Sequence, residues 1–295
     1  MTKIALANPD KLQKGSDKWD MIISPQRNLL DLRLGELGHA RDLIVLFVRR
    51  DFVSKYKQTI LGPLWYLIQP LLTTITFTVI FGNIAKLPTG GLPQFLFYMS
   101  GTVIWTYFAN CLSATSDTFV SNANLFGKVY FPRLAVPISI LISNLIAFLI
   151  QFGFFLVFMG YFALQGTQIH PNWWMLLTPV LLLMMAGLGL GFGIIVSSVT
   201  TKYRDLRFLV QFGVQLLMYV TPVIYSISTI PQKYQRWIQY NPMSSIMETF
   251  RYAYLGGGGT VDLGQLAYSF GFMVVVIVIG VIMFNRVEAT FMDTV

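Results

Sequence analysis

Between Arg133 and Lys202 the chain runs for 68 residues without one Asp, Glu, Lys or Arg. A charge at mid-bilayer costs several kcal/mol, and a helix crossing the hydrocarbon needs roughly 20 apolar residues. This stretch therefore holds two spans, turning at the polar QGTQIHPN segment (165–172), where Pro171 can start the second helix. Four further charge-free stretches count one span each. Lys57 to Lys86 encloses 28 residues, Lys86 to Asp117 encloses 30, Arg207 to Lys233 encloses 25 and Asp262 to Arg286 encloses 23. Only 12% of the chain is charged, against roughly a quarter in a soluble domain. The expectation is an all-α polytopic membrane protein with six transmembrane helices, over about 61–84, 94–116, 134–163, 173–199, 207–226 and 264–285.

Six spans put both termini on one side, and lysine and arginine choose it. Residues 1–60 carry 11 of the 21, and Lys128, Arg133, Lys202, Arg204, Arg207 and Arg286 join them; only Lys86, Lys233, Arg236 and Arg251 fall opposite. Both termini are expected in the cytoplasm of a cell's inner membrane. The net charge of +8 is then accounted for by topology and anionic headgroups, without nucleic acid. Residues 1–35 read as a polar cytoplasmic extension with no cleavable signal, and 289–295 as a cytoplasmic tail. Cys111, the single cysteine, lies inside a span, which leaves no disulfide framework.

Four segments outside the spans carry pattern. Residues 36–60 include RDLIVLFVRRDFVSKYKQTI, whose helical spacing puts Phe52, Val53, Tyr56 and Ile60 on one arc and Arg50, Asp51, Lys55 and Lys57 on the other. That is an amphipathic interfacial helix. From Leu43 to Val48 the apolar residues surround the axis, as expected of a half buried against other protein. Residues 121–133 are too long for a plain turn, and Leu125, Phe126, Tyr130 and Phe131 suggest a docking surface, with membrane-interface aromatics the plain alternative. In TTKYRDLR, Asp205 between Arg204 and Arg207 reads as a local ion pair. Residues 230–256 are too apolar for a free loop and too interrupted for a span. Pro231 and Pro242 fit helix starts, Asn241 a cap, and Glu248 and Arg251 sit three apart, where they can pair. Two short re-entrant helices on the outer side account for this, as a lid over a pathway.

Nothing in the sequence supplies covalent chemistry. His39 and His170 lie on opposite sides, no HExxH or paired cysteines occur, and no GxxxxGK[ST] loop could hold a nucleotide. The glycine run Gly256 to Gly259 lacks the lysine such a loop needs. No cofactor or metal is expected on this chain. A membrane-embedded transferase would need a His or carboxylate cluster, and a proton-coupled transporter an acid inside a span; the carboxylates here lie near span ends. The spans offer polar and aromatic stripes instead: Tyr66, Gln69, Thr73 and Phe77 on the first, Tyr98, Thr102, Trp105, Ser113 and Ser116 on the second, Phe208, Gln211, Phe212, Gln215 and Tyr219 on the fifth. Rings and hydroxyl or amide groups on one face suit a sugar pathway, while helix-to-helix packing is the alternative. In AGLGLGFG, two overlapping GxxxG patterns, Gly187/Gly191 and Gly189/Gly193, indicate close helix packing.

The run RDLIVLFVRRDFVSKYKQTILGPLWYLIQPL, the segment NLFGKVYFPRLAVP, and TPVIYSISTIP followed by NPMSSIMETFR resemble the membrane subunits of type-2 ATP-binding-cassette exporters, specifically those for O-antigen, capsule or teichoic-acid polysaccharides. The resemblance implies a homodimer of this chain with two copies of a cytoplasmic ATPase, ATP and Mg being used by that partner, and a lipid-linked glycan as cargo. It implies ATPase-coupling contacts at Arg50, Asp51, Lys55 and Tyr56 and, in the coupling segment, at Asn124, Phe126, Lys128, Tyr130 and Arg133. Spans one and five would line the channel, and the extracellular gate would include Pro231, Trp237, Tyr240, Pro242, Glu248 and Arg251. A permease of the same architecture for a drug, lipid or peptide is the nearest alternative.

Overall fold

The computed structural model describes residue 38 and residues 40–57, 59–126, 131–201, 203 and 205–294; the side chains of Lys55, Tyr56, Pro63, Ala123, Asn124 and 288–294 lie outside that description. Among the described residues the regular structure is helical: α1 (Arg41–Tyr56), α2 (Trp65–Phe77), α3 (Gln94–Ser116), α4 (Thr118–Ser121), α5 (Ala123–Phe126), α6 (Ala135–Leu164), α7 (Thr178–Thr200), α8 (Leu206–Val220), α9 (Gln232–Gln239), α10 (Pro242–Leu255) and α11 (Leu263–Thr294). The α2 helix continues as a π-helical segment, Thr78–Ile84, where the Gln94 side-chain amide donates to the Gly82 carbonyl at 3.1 Å. Among the described residues, four helices are long and apolar enough to cross a membrane: Trp65–Ile84, Ala135–Leu164, Trp173–Thr200 and Leu263–Val287.

The α3 helix is as long as a span, 23 residues, but less apolar, because it is the centre of the bundle rather than a lipid-facing wall. Leu96 to Trp105 is buried without interruption. Its hydroxyls turn back on its own backbone: Thr102 donates to the Tyr98 carbonyl at 2.8 Å and Ser100 to that of Phe97 at 2.8 Å. Beside it lies α7, whose two glycine ridges serve different neighbours. A Cβ at Gly189 would stand 2.7 Å from Cys111 Cβ, and one at Gly193 would meet Thr115, both on α3. A Cβ at Gly191 would stand 2.8 Å from Val276 Cγ1, and one at Gly187 would meet Met273, both on α11. Overlapping GxxxG patterns thus let one helix approach two others closely, which is how packing replaces the hydrophobic effect in lipid.

A second apolar cluster closes one end of the bundle. Ile44 and Phe47 of α1 pack with Phe119, Phe126 and Phe131, the start of α6, Ile194 of α7 and Phe284 of α11. Ring contacts link them: Phe47 to Phe131 at 5.6 Å, Phe126 to Phe131 at 5.6 Å and Phe119 stacked on Phe284 at 4.7 Å. This chain covers one side of the Leu43 to Val48 collar, through Ile44 and Phe47, while Val45 and Leu46 stay exposed. One expectation changes here. The helix ends at Tyr56, so Ile60 lies beyond it, fully exposed, and does not extend the apolar arc.

Candidate functional site

At the far end of the bundle from α1, the chain leaves α8 at Thr221 and Pro222 and stays irregular, apart from one 3-10 turn at Ile227–Thr229, until α9. Proline removes a donor and stops the helix, and the Thr221 hydroxyl turns back to the Leu217 carbonyl at 2.8 Å. Val223, Ile224, Ser226 and Ile227 are nevertheless buried, so their backbone groups need partners inside the protein. Two charged side chains of α10 supply them. The guanidinium of Arg251, wholly buried, donates to the Val223 carbonyl at 2.7 Å, to the Tyr225 carbonyl at 3.4 Å and to Ser100 Oγ at 3.4 Å, and lies 3.8 Å from the centroid of the Phe97 ring. The Glu248 carboxylate accepts from the Ile227 N–H at 3.2 Å and the Thr260 hydroxyl at 3.0 Å. Glu248 and Arg251 form no ion pair with each other; the expected pairing is corrected to a joint clamp on one irregular strand of backbone. Gly101 on α3 makes room, because a Cβ there would stand 2.7 Å from the Val223 carbonyl oxygen.

Asn241 caps α10, its carbonyl oxygen accepting from the Met243 N–H at 3.0 Å, while its amide donates to Thr221 Oγ1 at 2.8 Å. One side chain thus joins the end of α8 to the start of α10. Asn241→Ala is expected to lower stability by about 1–2 kcal/mol, read as an earlier thermal transition of the purified protein. The other end of α10 stops at Gly256, in the left-handed region at φ 72°, where a Cβ would also meet the His170 carbonyl. The Asn172 N–H donates to the Ala253 carbonyl at 3.0 Å. The glycine run is therefore a close-packed junction of loops, not a ligand loop. By contrast α9 is exposed on its aromatic side, with Trp237 at 75% and Tyr240 at 65%. Pro231 precedes its first turn and Pro242 opens α10.

At the α1 end, Arg50 is held by Asp51 at 2.8 Å and lies 4.8 Å from the Phe47 ring, and Arg133 lies 5.5 Å from the Phe126 ring. Phe126 and Phe131 are buried in this chain's own cluster, so the docking surface expected of their rings is corrected: they anchor the segment to the bundle. Lys128 and Tyr130 lie outside the described residues, as do the side chains of Lys55, Tyr56 and Asn124. Arg207 pairs with Asp117 at 3.1 Å rather than with Asp205, joining the starts of α8 and α4. Burial raises the Asp117 carboxyl above its ordinary range, and the Arg207 charge opposes that shift.

The expected stripes divide. On α8, Phe208, Phe212, Gln215 and Tyr219 are all exposed along one side. On α2, Gln69 is exposed and Tyr66 and Thr73 half-buried, but Phe77 packs inward against Phe81 and Tyr98. Tyr98 and Trp105 belong to the core of this chain, which corrects them from channel lining to packing, since α3 is surrounded. Between α2, α3, α6 and α8 lies an open cavity of about 520 Å³, into which α2 contributes Trp65, Tyr66 and Gln69, α3 contributes Asn110 and Ser113, α6 contributes Asn144 and Gln151, and α8 contributes Gln211.

Residues 42–255 match the ABC-2 type transporter family model, from the start of α1 to the last residue of α10. The chain belongs to the ABC-2 type transporter family. It is 26% identical over 258 residues to the O-antigen export system permease protein RfbA of Klebsiella pneumoniae, covering 87% of this chain and 96% of that one. It is 28% identical over 219 residues to the protein of the same name from Myxococcus xanthus, covering 73% and 81%. It is 23% identical over 245 residues to the polysialic acid transport protein KpsM of Escherichia coli, covering 81% and 91%.

Within this ABC-2 chain, sequence reasoning missed Gly101, Thr221, Asn110, Asn144 and Gln151. Gly101, Asn144 and Gln151 are isolated small or amide residues in apolar runs, and no periodic pattern marks them. An amide within a span was the available signal, because lipid offers it no partner.

Proposed function

We propose that the chain is the permease of an ATP-driven exporter that moves a lipid-linked glycan outward across the inner membrane, as a homodimer with two copies of a separate ATPase subunit. The observation that carries this is the side of α8 holding Phe208, Phe212, Gln215 and Tyr219, which none of the other described residues covers. Three rings and an amide on one side suit sugars, whose apolar faces stack while their hydroxyls exchange hydrogen bonds. Relatives named for O-antigen export and polysialic acid transport support the same cargo class.

Six spans follow when α3, shielded by its neighbours, and α8 with its irregular continuation are added to the four strongly apolar helices. The lysine and arginine distribution puts α1 and both termini in the cytoplasm. There α1 and the 121–133 segment would meet the ATPase, which binds ATP and Mg; this chain binds neither. Their shared aromatic cluster with α6, α7 and α11 gives a push at α1 a rigid route into the bundle. The α9 and α10 helices form the re-entrant outer gate, with the Glu248 and Arg251 clamp holding the backbone break beneath it. Purifying the tagged chain from its native membrane is expected to bring down an ATPase subunit containing a GxxxxGK[ST] loop. A preparation holding only this chain contradicts the proposal.

A further inference from the structure

A second cavity, of about 240 Å³, lies where α9 meets the start of α11 and shares no lining residue with the α2 and α8 stripes. Its wall is made by Arg236 and Gln239 of α9, Tyr240 just after it, and Gly264, Gln265 and Tyr268 of α11. The Tyr268 hydroxyl donates to the Tyr240 carbonyl at 3.1 Å and ties the two sides together. No carboxylate stands among the described lining residues. Asp262, just before α11, is turned to that helix's own backbone, its Oδ1 accepting from the Gly264 and Gln265 N–H groups at 2.8 and 3.2 Å. A guanidinium and two amides thus line a space below the roughly 300–1,000 Å³ of drug-sized sites, which suits one compact anionic group.

The flanking surfaces say which anion. Along α9, Lys233, Arg236, Trp237 and Tyr240 recur at helical spacing, and all four are exposed. Cations with Trp and Tyr on one face are the pattern of a helix lying at a membrane surface. Along α11, an exposed strip runs on from the cavity through Gly264, Tyr268, Gly271, Val275 and Val278. Beyond Tyr268 the strip is apolar, and at Gly271 nothing lies within 4 Å of where a Cβ would stand, which leaves a notch for a hydrocarbon chain. A cationic head space joined to an apolar strip matches a ligand with an anionic head and acyl chains. A free ion or a glycan has no second part to place there.

We propose that this is a binding site for an anionic phospholipid of the outer leaflet, its phosphodiester held by Arg236 and the two amides and an acyl chain lying along α11. Trp237 and Tyr240 then sit at headgroup level. Because Tyr240 adjoins Asn241, the cap of α10, an occupied site holds the outer gate to the bilayer. The site rests on the exporter reading only for the side of the membrane on which α9 lies.

The test uses the purified full-length complex in nanodiscs. The probes are phosphatidylglycerol carrying a photoreactive diazirine in its acyl chain, close to the glycerol, and phosphatidylcholine with the same chains. Adducts are mapped by peptide mass spectrometry. Phosphatidylglycerol is expected to label residues 263–275 about fivefold more than phosphatidylcholine does, the factor one cation near a membrane surface supplies. Arg236→Gln should abolish that excess while leaving labelling of the other spans unchanged, and Arg236→Lys should keep most of it. Since Arg236 is exposed, the glutamine variant should melt with wild type, so lost labelling does not report lost folding. Equal labelling by the two lipids, or an excess that survives Arg236→Gln, overturns the site. Displacement of the phosphatidylglycerol adducts by a trace of polyprenyl diphosphate gives the pocket to a lipid carrier and overturns the assignment too. The labelling requires no transport, so the site fails separately from the exporter reading, which fails if no ATPase purifies with the chain.

Discussion

Replacing Arg251 by methionine is expected to lower the stability of the purified protein by at least about 3 kcal/mol and to deplete it from membranes. The guanidinium is the donor that satisfies the Val223 carbonyl at 2.7 Å, and it also serves Tyr225 and Ser100. Hydrogen bonds to a charged group contribute roughly 1.5–3 kcal/mol each, and a buried acceptor left without one bears its full desolvation cost. The buried Glu248 carboxylate would lose its nearby countercharge as well. Thermal unfolding in detergent should show a transition lower by roughly 5–10 °C. Arg251→Lys should fall between wild type and methionine, because an ammonium keeps the charge but lacks the planar fork that spans two carbonyls. A methionine variant that melts with wild type would mean the 221–227 backbone is supported by something else.

Gly191→Val and Gly189→Val are each expected to prevent normal assembly of the bundle. A Cβ at Gly191 would already stand 2.8 Å from Val276 Cγ1 and 3.0 Å from the Ile277 nitrogen, and at Gly189 3.2 Å from the Leu112 nitrogen. The obstructing atoms include backbone, which cannot rotate away, so the helices must separate. Overpacking of a well-filled core costs typically about 1–3 kcal/mol, and two extra methyl groups at a backbone contact belong at or above the upper end. Gly160→Ala on α6, where nothing lies within 4 Å, should change stability by no more than about 1 kcal/mol. Protease sensitivity in membranes distinguishes the outcomes: rapid cleavage for the valine variants, wild-type resistance for Gly160→Ala.

The helical class was legible because charges are excluded from lipid, so the charge-free stretches had to contain the spans. The starts of α9 and α10 were legible for a local reason, a proline and an Asn cap at the right positions. Tyr98 and Trp105 were misread because a stripe on one helix does not reveal how many neighbours surround it. Only three-dimensional packing shows that α3 is enclosed and α8 is not. Phe126 and Phe131 failed the same way, since aromatic residues at a membrane boundary look alike whether they face a partner or their own core. The partners of Arg251, Glu248 and Arg207 lie far away in sequence or are backbone atoms, for which side-chain spacing carries no signal.

The central claim is that this chain carries glycan outward, and deleting its gene tests that most directly. Thin-layer and mass-spectrometric analysis of lipid extracts should show lipid-linked glycan accumulating inside the cell while the corresponding surface polysaccharide disappears, with both restored by the intact gene. An unchanged surface polysaccharide with no internal accumulation would contradict the account and point to a lipid, drug or peptide as the cargo.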